Sequence, residues 1–268
     1  MKMLQDVEVE VGGALARGRA LVVMLDFDGT LAPITEHYDQ ARALPGALEA
    51  VSALVEAGVE VAIISGRSLH DVRARLPVVG VSYLGSHGLE MAWKGGDVEV
   101  VPGAEEARWA LQRLEERWGQ EFGELEGVVL ERKPFGVALH YRMLAEGEEG
   151  LVERARELAE TGDGLRCKAG KKVLEAVPAI DWHKGRATDL VVRRAESRAP
   201  GGVYAMYVGD DVTDEDAFAV LDGESCGVLV APEDRASAAS ARVDGPEQVL
   251  RLLERLVALG SQQRSAGL

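Results

Sequence analysis

The sequence predicts an α/β fold in which a parallel-sheet core is interrupted by a smaller α+β module. Three observations predict it. Short apolar runs alternate with amphipathic stretches up to about Pro102 and again from about Ala179, the pattern of strands joined by crossover helices. Between those points the pattern becomes a helix followed by alternating strand-like segments, twice over. Glycine and aspartate follow the apolar runs, at the strand ends where a parallel sheet places its ligand site.

Taken in order, LVVML (21–25) reads as a buried strand. LPGALEAVSALVEAG (44–58) has apolar positions at helical spacing, a proline near its start and a glycine at its end, the usual helix boundaries. VEVAIIS (59–65) is a second strand, SLHDVRARL (68–76) a helix, and VSYLGSHG (81–88) a third strand running into a polar turn. A helix over 105–119 then precedes strand-like segments within VVLERKPFGVALHYR (128–142). A second helix over 147–162 precedes LRCKAGKKVLEAVP (165–178).

From Ala179 the first pattern returns. A helix covers 184–195, a strand YAMYVG (204–209), a helix starts from Asp214, a strand CGVLVA (226–231) follows, and a terminal helix covers 246–260. The tail from Ser261 is expected to fray. The expected division is a core of residues 1–103 plus 179–268 and an inserted module of 104–178.

Thirty basic against 45 acidic residues give a net charge of −15. That argues against a nucleic-acid partner or an anionic membrane, both of which need clustered positive charge. It leaves room for an anionic ligand in a locally positive pocket. Cys167 and Cys226 lack metal-ligand spacing and read as incidental thiols of a reducing compartment. The N-terminus has no signal-peptide core, and no apolar run approaches the ~18 residues of a membrane span. The expectation is a cytoplasmic monomer acting on a small molecule.

The strand ends carry the chemistry. Asp26 and Asp28 follow the first strand, Ser65-Gly66-Arg67 the second, and Gly209-Asp210-Asp211 the strand at 204–209. Oxygen ligands without clustered His or Cys suit a hard cation, with magnesium the default. Glycines beside the charges allow close backbone approach to a phosphate. Lys184, opening a helix, offers an ammonium. This set fits phosphoryl transfer, which is mostly positioning and charge stabilisation.

In this order DFDGT (26–30), SGR (65–67), the lysine of KG (184–185) and GDDVTDED (209–216) resemble the haloacid dehalogenase-type phosphatases. The resemblance implies a Rossmann-like parallel-sheet core with an inserted α+β cap. It also implies Asp26 as the nucleophile forming an aspartyl-phosphate and as a magnesium ligand. Asp28 would be the general acid/base, with its backbone carbonyl on the metal. Asp210 would complete the protein ligands, supported by Asp211 and Asp214, and Ser65 and Lys184 would bind the phosphoryl group.

More narrowly, GSHGLE (85–90), LERKPFGVALHYR (130–142) and GKKVLE (170–175) make the chain similar to the trehalose-6-phosphate phosphatases. That resemblance implies hydrolysis of trehalose 6-phosphate, with Glu131, Lys133, Arg142, Lys171 and Glu175 reading the sugar. One departure stands out: Val177 occupies the place where the cap motif has arginine. Phosphatases of sucrose 6-phosphate, mannosylglycerate phosphate or glucosylglycerol phosphate therefore remain open, as does a non-catalytic sugar-phosphate sensor. A receiver-type module would need neither Asp28 nor a cap.

Several residues keep a plainer reading beside the functional one. His87 fits a turn-fixing role better than chemistry. Glu131 and Lys133 also fit a solvated surface pair. Trp109 and Trp118 fit helix packing, and Arg67, suited to a neighbouring carboxylate or to supporting the cap, stays outside the catalytic set.

Overall fold

The computed structural model describes residues 1–35, 38–161, 164–170 and 172–266. The chain divides into one unit of Met1–Glu99 with Trp182–Leu268 and a second of Val100–Asp181.

The first unit opens with α1 (Leu4–Ala16), β1 (Ala20–Leu25), α2 (Ala47–Glu56), β2 (Glu60–Ile64), α3 (Leu69–Arg75), β3 (Ser82–Gly85), β4 (Glu90–Ala92) and β5 (Val98–Val100), the last residue of which begins the second unit. The second unit holds α4 (Ala104–Phe122), β6 (Val129–Lys133), β7 (Gly136–His140), α5 (Glu148–Glu160), β8 (Leu165–Gly170) and β9 (Val173–Pro178). The first unit resumes with α6 (Lys184–Glu196), β10 (Val203–Gly209), α7 (Val212–Ala219), β11 (Cys226–Val230), β12 (Ala241–Val243) and α8 (Pro246–Ala266).

The large sheet has the order β12-β11-β10-β1-β2-β3-β4-β5. Its strands are parallel from β12 to β3, and β4 pairs antiparallel to β3. Both faces are covered, which is why β1 and β10 read as continuous apolar runs rather than alternating ones. Val23, Leu25 and Ile63 join a core with α1, α2, α3 and α8. On another part of the sheet α6 and α7 pack against β10, where the Tyr207 and Phe218 rings meet edge to face at 5.7 Å. The parallel α/β core expected from the strand–helix alternation is thus present.

Two features lie outside the sequence reading and a third differs from it. Helix α1 lies in a segment whose VEVEV alternation resembles a strand. Val7, Val11, Ala14 and Leu15 form its buried stripe, so tertiary packing overrides the local pattern and two central glycines. The short strands β4, β5 and β12 have too few residues to show a period. The tail expected to fray from Ser261 continues α8 as helix to Ala266.

In the second unit the sheet order is β6-β7-β9-β8, all antiparallel. One face, with Val137, Leu139, Leu174 and Ala176, packs on α4 and α5. Trp118 belongs to that core and donates from Nε1 to the Ala155 carbonyl at 3.1 Å. Trp109, in contrast, is 64% exposed and does not pack as expected. Among the described residues no helix is long and apolar enough to cross a membrane.

Candidate active site

The pairing of β1 with β10 continues past Leu25, since the Asp26 N–H donates to the Val208 carbonyl at 2.9 Å. Asp26 is thereby fixed at the carboxyl edge of the sheet, almost buried. The chain then turns, with Leu31 and Ala32 N–H groups donating to the Phe27 carbonyl. Phe27 enters the core while Asp26 and Asp28 line a cavity of about 400 Å³. Gly29 has φ +74°, and a Cβ there would lie 2.0 Å from Asp210 Oδ2. Only glycine lets this turn approach that carboxylate.

Lys184 opens α6, and Gly185 behind it lets α6 approach α7: a Cβ there would lie 2.4 Å from the Asp216 carbonyl oxygen. The Lys184 ammonium reaches Asp26 Oδ1 at 3.0 Å and Asp214 Oδ1 at 2.7 Å. Asp214 Oδ1 also accepts from the Tyr207 hydroxyl at 2.6 Å, and Oδ2 from the Asp211 N–H at 2.9 Å. Lys184, Asp214 and Tyr207 are all buried. Asp211 caps α7 at the cavity wall, its carboxylate accepting from the Thr213 hydroxyl at 3.2 Å.

Carboxylate oxygens of Asp26, Asp210 and Asp214 lie within 4.8 Å of one another. Burial pushes the Asp26 carboxyl up to about 8 despite the opposing pull of Lys184, with Asp214 and Asp210 adding repulsion. Asp210 is pushed up to about 7, by burial first and then by Asp214 and Asp211. Burial alone would push the Lys184 ammonium down, but Asp26 and Asp214 outweigh it and hold it above its ordinary value. Three close carboxylates share one ammonium, so the cluster is short of positive charge. That imbalance and the all-oxygen donor set fit a hard divalent cation. Both Asp214 oxygens already accept hydrogen bonds, which leaves Asp26 and Asp210 as the side chains best suited to hold it.

The second strand end contributes Ser65, fully buried, whose Oγ accepts from the Arg67 N–H at 3.2 Å. Arg67 is also buried and donates to both Asp28 oxygens, from Nε at 2.7 Å and from Nη2 at 2.6 Å. Its Nη1 donates to Asp71 at 2.7 Å. The third strand end folds back on the second: Ser86 N–H donates to the Arg67 carbonyl and His87 N–H to the Ser65 carbonyl. Ser86 and His87 both have positive φ, +52° and +59°, a strained pair that these bonds hold in place. His87 thus sits in a turn held by main-chain bonds, and its side chain lines the cavity.

Asp26, Asp28, Ser65, Lys184, Asp210, Asp211 and Asp214, singled out in the sequence, are thus gathered at one sheet edge. Reading the sequence did not identify Tyr207, which looks like any other apolar-strand residue, and it left Arg67 aside.

In the second unit the sheet's other face carries Glu131, Lys133, His140, Lys168 and Glu175. Register places Glu131, Ala138, Glu175 and Lys168 in one row across the four strands. Lys133 Nζ pairs with Glu175 Oε1 at 2.8 Å, and His140 Nε2 with Glu131 Oε2 at 2.9 Å. Arg142 lies beyond the end of β7, in a turn and exposed, while Tyr141 is buried in the unit's core. Lys171 lies outside the described residues. Arg166 is directly paired with Val177, so an arginine of the next strand stands opposite the position where the resemblance leads one to expect arginine.

A family model described as trehalose-phosphatase matches residues 24–247. A trehalose-phosphate phosphatase of Mycolicibacterium paratuberculosis is 40% identical over 245 residues, covering 89% of this chain. The chain spans 62% of that relative's length. A crystal structure of a trehalose-6-phosphate phosphatase related protein superposes with a TM-score of 0.73 at 24% identity, over 90% of this chain and 99% of that one. A haloacid dehalogenase-like hydrolase from Bacteroides thetaiotaomicron shares the fold with a TM-score of 0.62 at 15% identity, over 89% of this chain and 100% of that one.

Proposed function

The chain belongs to the trehalose-phosphatase family, and from that premise and the Asp26 site we propose that it hydrolyses trehalose 6-phosphate to trehalose and inorganic phosphate. The observation that carries the reading is the pairing of a buried Asp26 carboxylate with Lys184 at 3.0 Å, with Asp28 facing the same cavity.

In the first half-reaction an Asp26 oxygen attacks phosphorus and the bond from phosphorus to the sugar oxygen breaks. Asp28 gives its proton to that departing oxygen, which as a bare alkoxide would be a poor leaving group. In the second, Asp28 takes a proton from water, the water oxygen attacks phosphorus, and the bond to Asp26 breaks. Phosphate leaves and both carboxyls return to their starting states. Lys184 lowers the repulsion between the nucleophile and an anionic phosphate, and Ser65 supplies a hydroxyl to the phosphoryl oxygens. A magnesium ion held by Asp26, Asp210 and the Asp28 main-chain carbonyl would supply further charge neutralisation at the phosphoryl group.

Sugar selection is assigned to the polar face of the second unit's sheet, through Glu131, Lys133 and Glu175, with Arg142 and Lys171 as the resemblance implies. A disaccharide phosphate presents many hydroxyls, and alternating carboxylates and ammonium groups are suited to reading them.

Phosphate release across trehalose 6-phosphate, sucrose 6-phosphate and glucose 6-phosphate tests the reading. Trehalose 6-phosphate is expected to be turned over fastest, Asp26→Asn to abolish turnover, and EDTA to stop it until magnesium is restored. Equal rates on all three sugars would defeat the substrate assignment, and an active Asp26→Asn variant the mechanism.

A further inference from the structure

Arg67 lies against the Asp28 carboxylate at the second strand end. It is 1% exposed, its guanidinium lies 5.5 Å from the Phe27 ring centre, and every nitrogen donates to a carboxylate. Two of the three nitrogens take both oxygens of Asp28 in a two-pronged pair, the strongest and most directional form of this contact. The third is anchored to Asp71. Asp71 in turn accepts from Arg75 Nε at 2.9 Å, and Arg75 Nη1 donates to the main-chain carbonyls of Asp39 and Ala41. A continuous chain of charged groups therefore runs from Asp28 into the framework of α3 and the segment before α2.

Such a clamp has a chemical consequence. Both Asp28 oxygens are engaged as acceptors, whereas donating a proton to a leaving oxygen requires one of them to face the substrate. We propose that Arg67 is a positioning residue. It sets the resting direction of the Asp28 carboxylate; release of one contact frees an oxygen that takes a proton from solvent and passes it to the leaving oxygen, while the other contact is retained as a pivot. The inference rests on the assignment of Asp28 as general acid/base. Arg67 acts through Asp28, so it governs the proton-transfer steps and not substrate binding. Lysine would not replace it, since an ammonium lacks the planar fork that holds two oxygens at once.

A double-mutant cycle on Arg67 and Asp28 tests the proposal, using two substrates. Trehalose 6-phosphate has an alkoxide leaving group that needs a proton, and 4-nitrophenyl phosphate has one that departs without. Arg67→Met is expected to lower kcat on trehalose 6-phosphate by about tenfold or more, within the range of general acid–base catalysis, with KM moved less than about threefold. The burst of nitrophenolate from the aryl phosphate is expected to stay within about threefold of wild type, because that step requires no acid. Arg67→Lys is expected to recover only part of the sugar-phosphate rate. In the Asp28→Asn background, Arg67→Met is expected to cost nothing further on either substrate.

Equal losses on both substrates, or a loss that multiplies that of Asp28→Asn, would overturn the positioning role while leaving the acid/base assignment intact. Wild-type rates in Asp28→Asn alone would instead overturn the assignment itself, and the inference with it. If Arg67→Met fails to fold, Asp71→Ala enters the same cycle, since it removes the anchor and keeps the guanidinium. Non-additivity with Asp28→Asn then supports the clamp, and additivity overturns it.

Discussion

The Tyr207 hydroxyl donates to Asp214 Oδ1 at 2.6 Å, and the same oxygen accepts the Lys184 ammonium at 2.7 Å. Asp214 is therefore a buried hinge between a strand residue and the lysine that meets Asp26. Burial, with Asp214 and Asp26 close by, holds the Tyr207 hydroxyl well above its ordinary range, so it is a lasting donor. Tyr207→Phe removes one hydrogen bond to a buried charged group at nearly constant shape. The expected cost is about 1–3 kcal/mol of stability. Asp214 then holds Lys184 less firmly, so kcat should also fall while KM changes little. Urea unfolding and steady-state phosphate release check both, and a variant with unchanged stability and kcat would remove Tyr207 from the site's support.

Lys184→Met is a harsher change, because it leaves Asp26 and Asp214 facing each other in a buried place without their common cation. Breaking such a pair by removing one partner costs about 3–5 kcal/mol. The loss is expected to be larger at pH 8 than at pH 5.5, where protonation of Asp26 relieves the repulsion. Denaturation at the two values decides it. An equal loss at both would mean that the ammonium contributes packing rather than charge.

The raised carboxyls also set the pH dependence of the metal-free protein. Asp26 lies at about 8 and Asp210 at about 7, against 3.8 for an ordinary aspartate. Between about pH 4 and pH 8 the folded state therefore holds protons that the unfolded state has released. Stability from these groups falls as pH rises through that window. In EDTA, Tm should decline toward pH 8, with a shallower slope in Asp210→Asn, which removes one titrating group and its repulsion of Asp26. Magnesium should flatten the wild-type profile if the ionised cluster is its site. Identical slopes for wild type and Asp210→Asn in EDTA would rule out the cluster as the source.

Which of these residues converge was partly legible in the sequence. Asp26, Asp28, Ser65 and Asp210 follow apolar runs, and parallel topology brings such ends to one edge. Lys184 needed the helix start and the motif order. Their partners were not legible for a physical reason. Arg67 and Asp28 are 39 residues apart, and a buried arginine is recognisable only once its carboxylates are in place. Tyr207 sits inside an apolar strand, where only the pairing of β10 shows that its hydroxyl turns toward α7. The same limit hid α1, whose alternating Val and Glu carry a strand pattern until α8 supplies a surface for Val7 and Val11.

In the second unit, selectivity and stability should separate by sheet face. Lys133 and Glu175 form a part-exposed pair at 2.8 Å, and exposed pairs contribute only about 0–1 kcal/mol to stability. Lys133→Ala is thus expected to leave Tm almost unchanged while raising KM for trehalose 6-phosphate. Leu174, adjacent to Glu175 but fully buried on the opposite face, should behave in the reverse way. Leu174→Ala costs about 2–5 kcal/mol as a core truncation, and its KM in the surviving folded fraction should stay near wild type. Arg166 provides a third point, because its pairing with Val177 places it on the face that carries Glu175. Arg166→Ala should raise KM as Lys133→Ala does if this face reads the sugar. Unchanged KM in both alanine variants, measured beside an intact Tm, would assign the face to solvent and move sugar selection elsewhere.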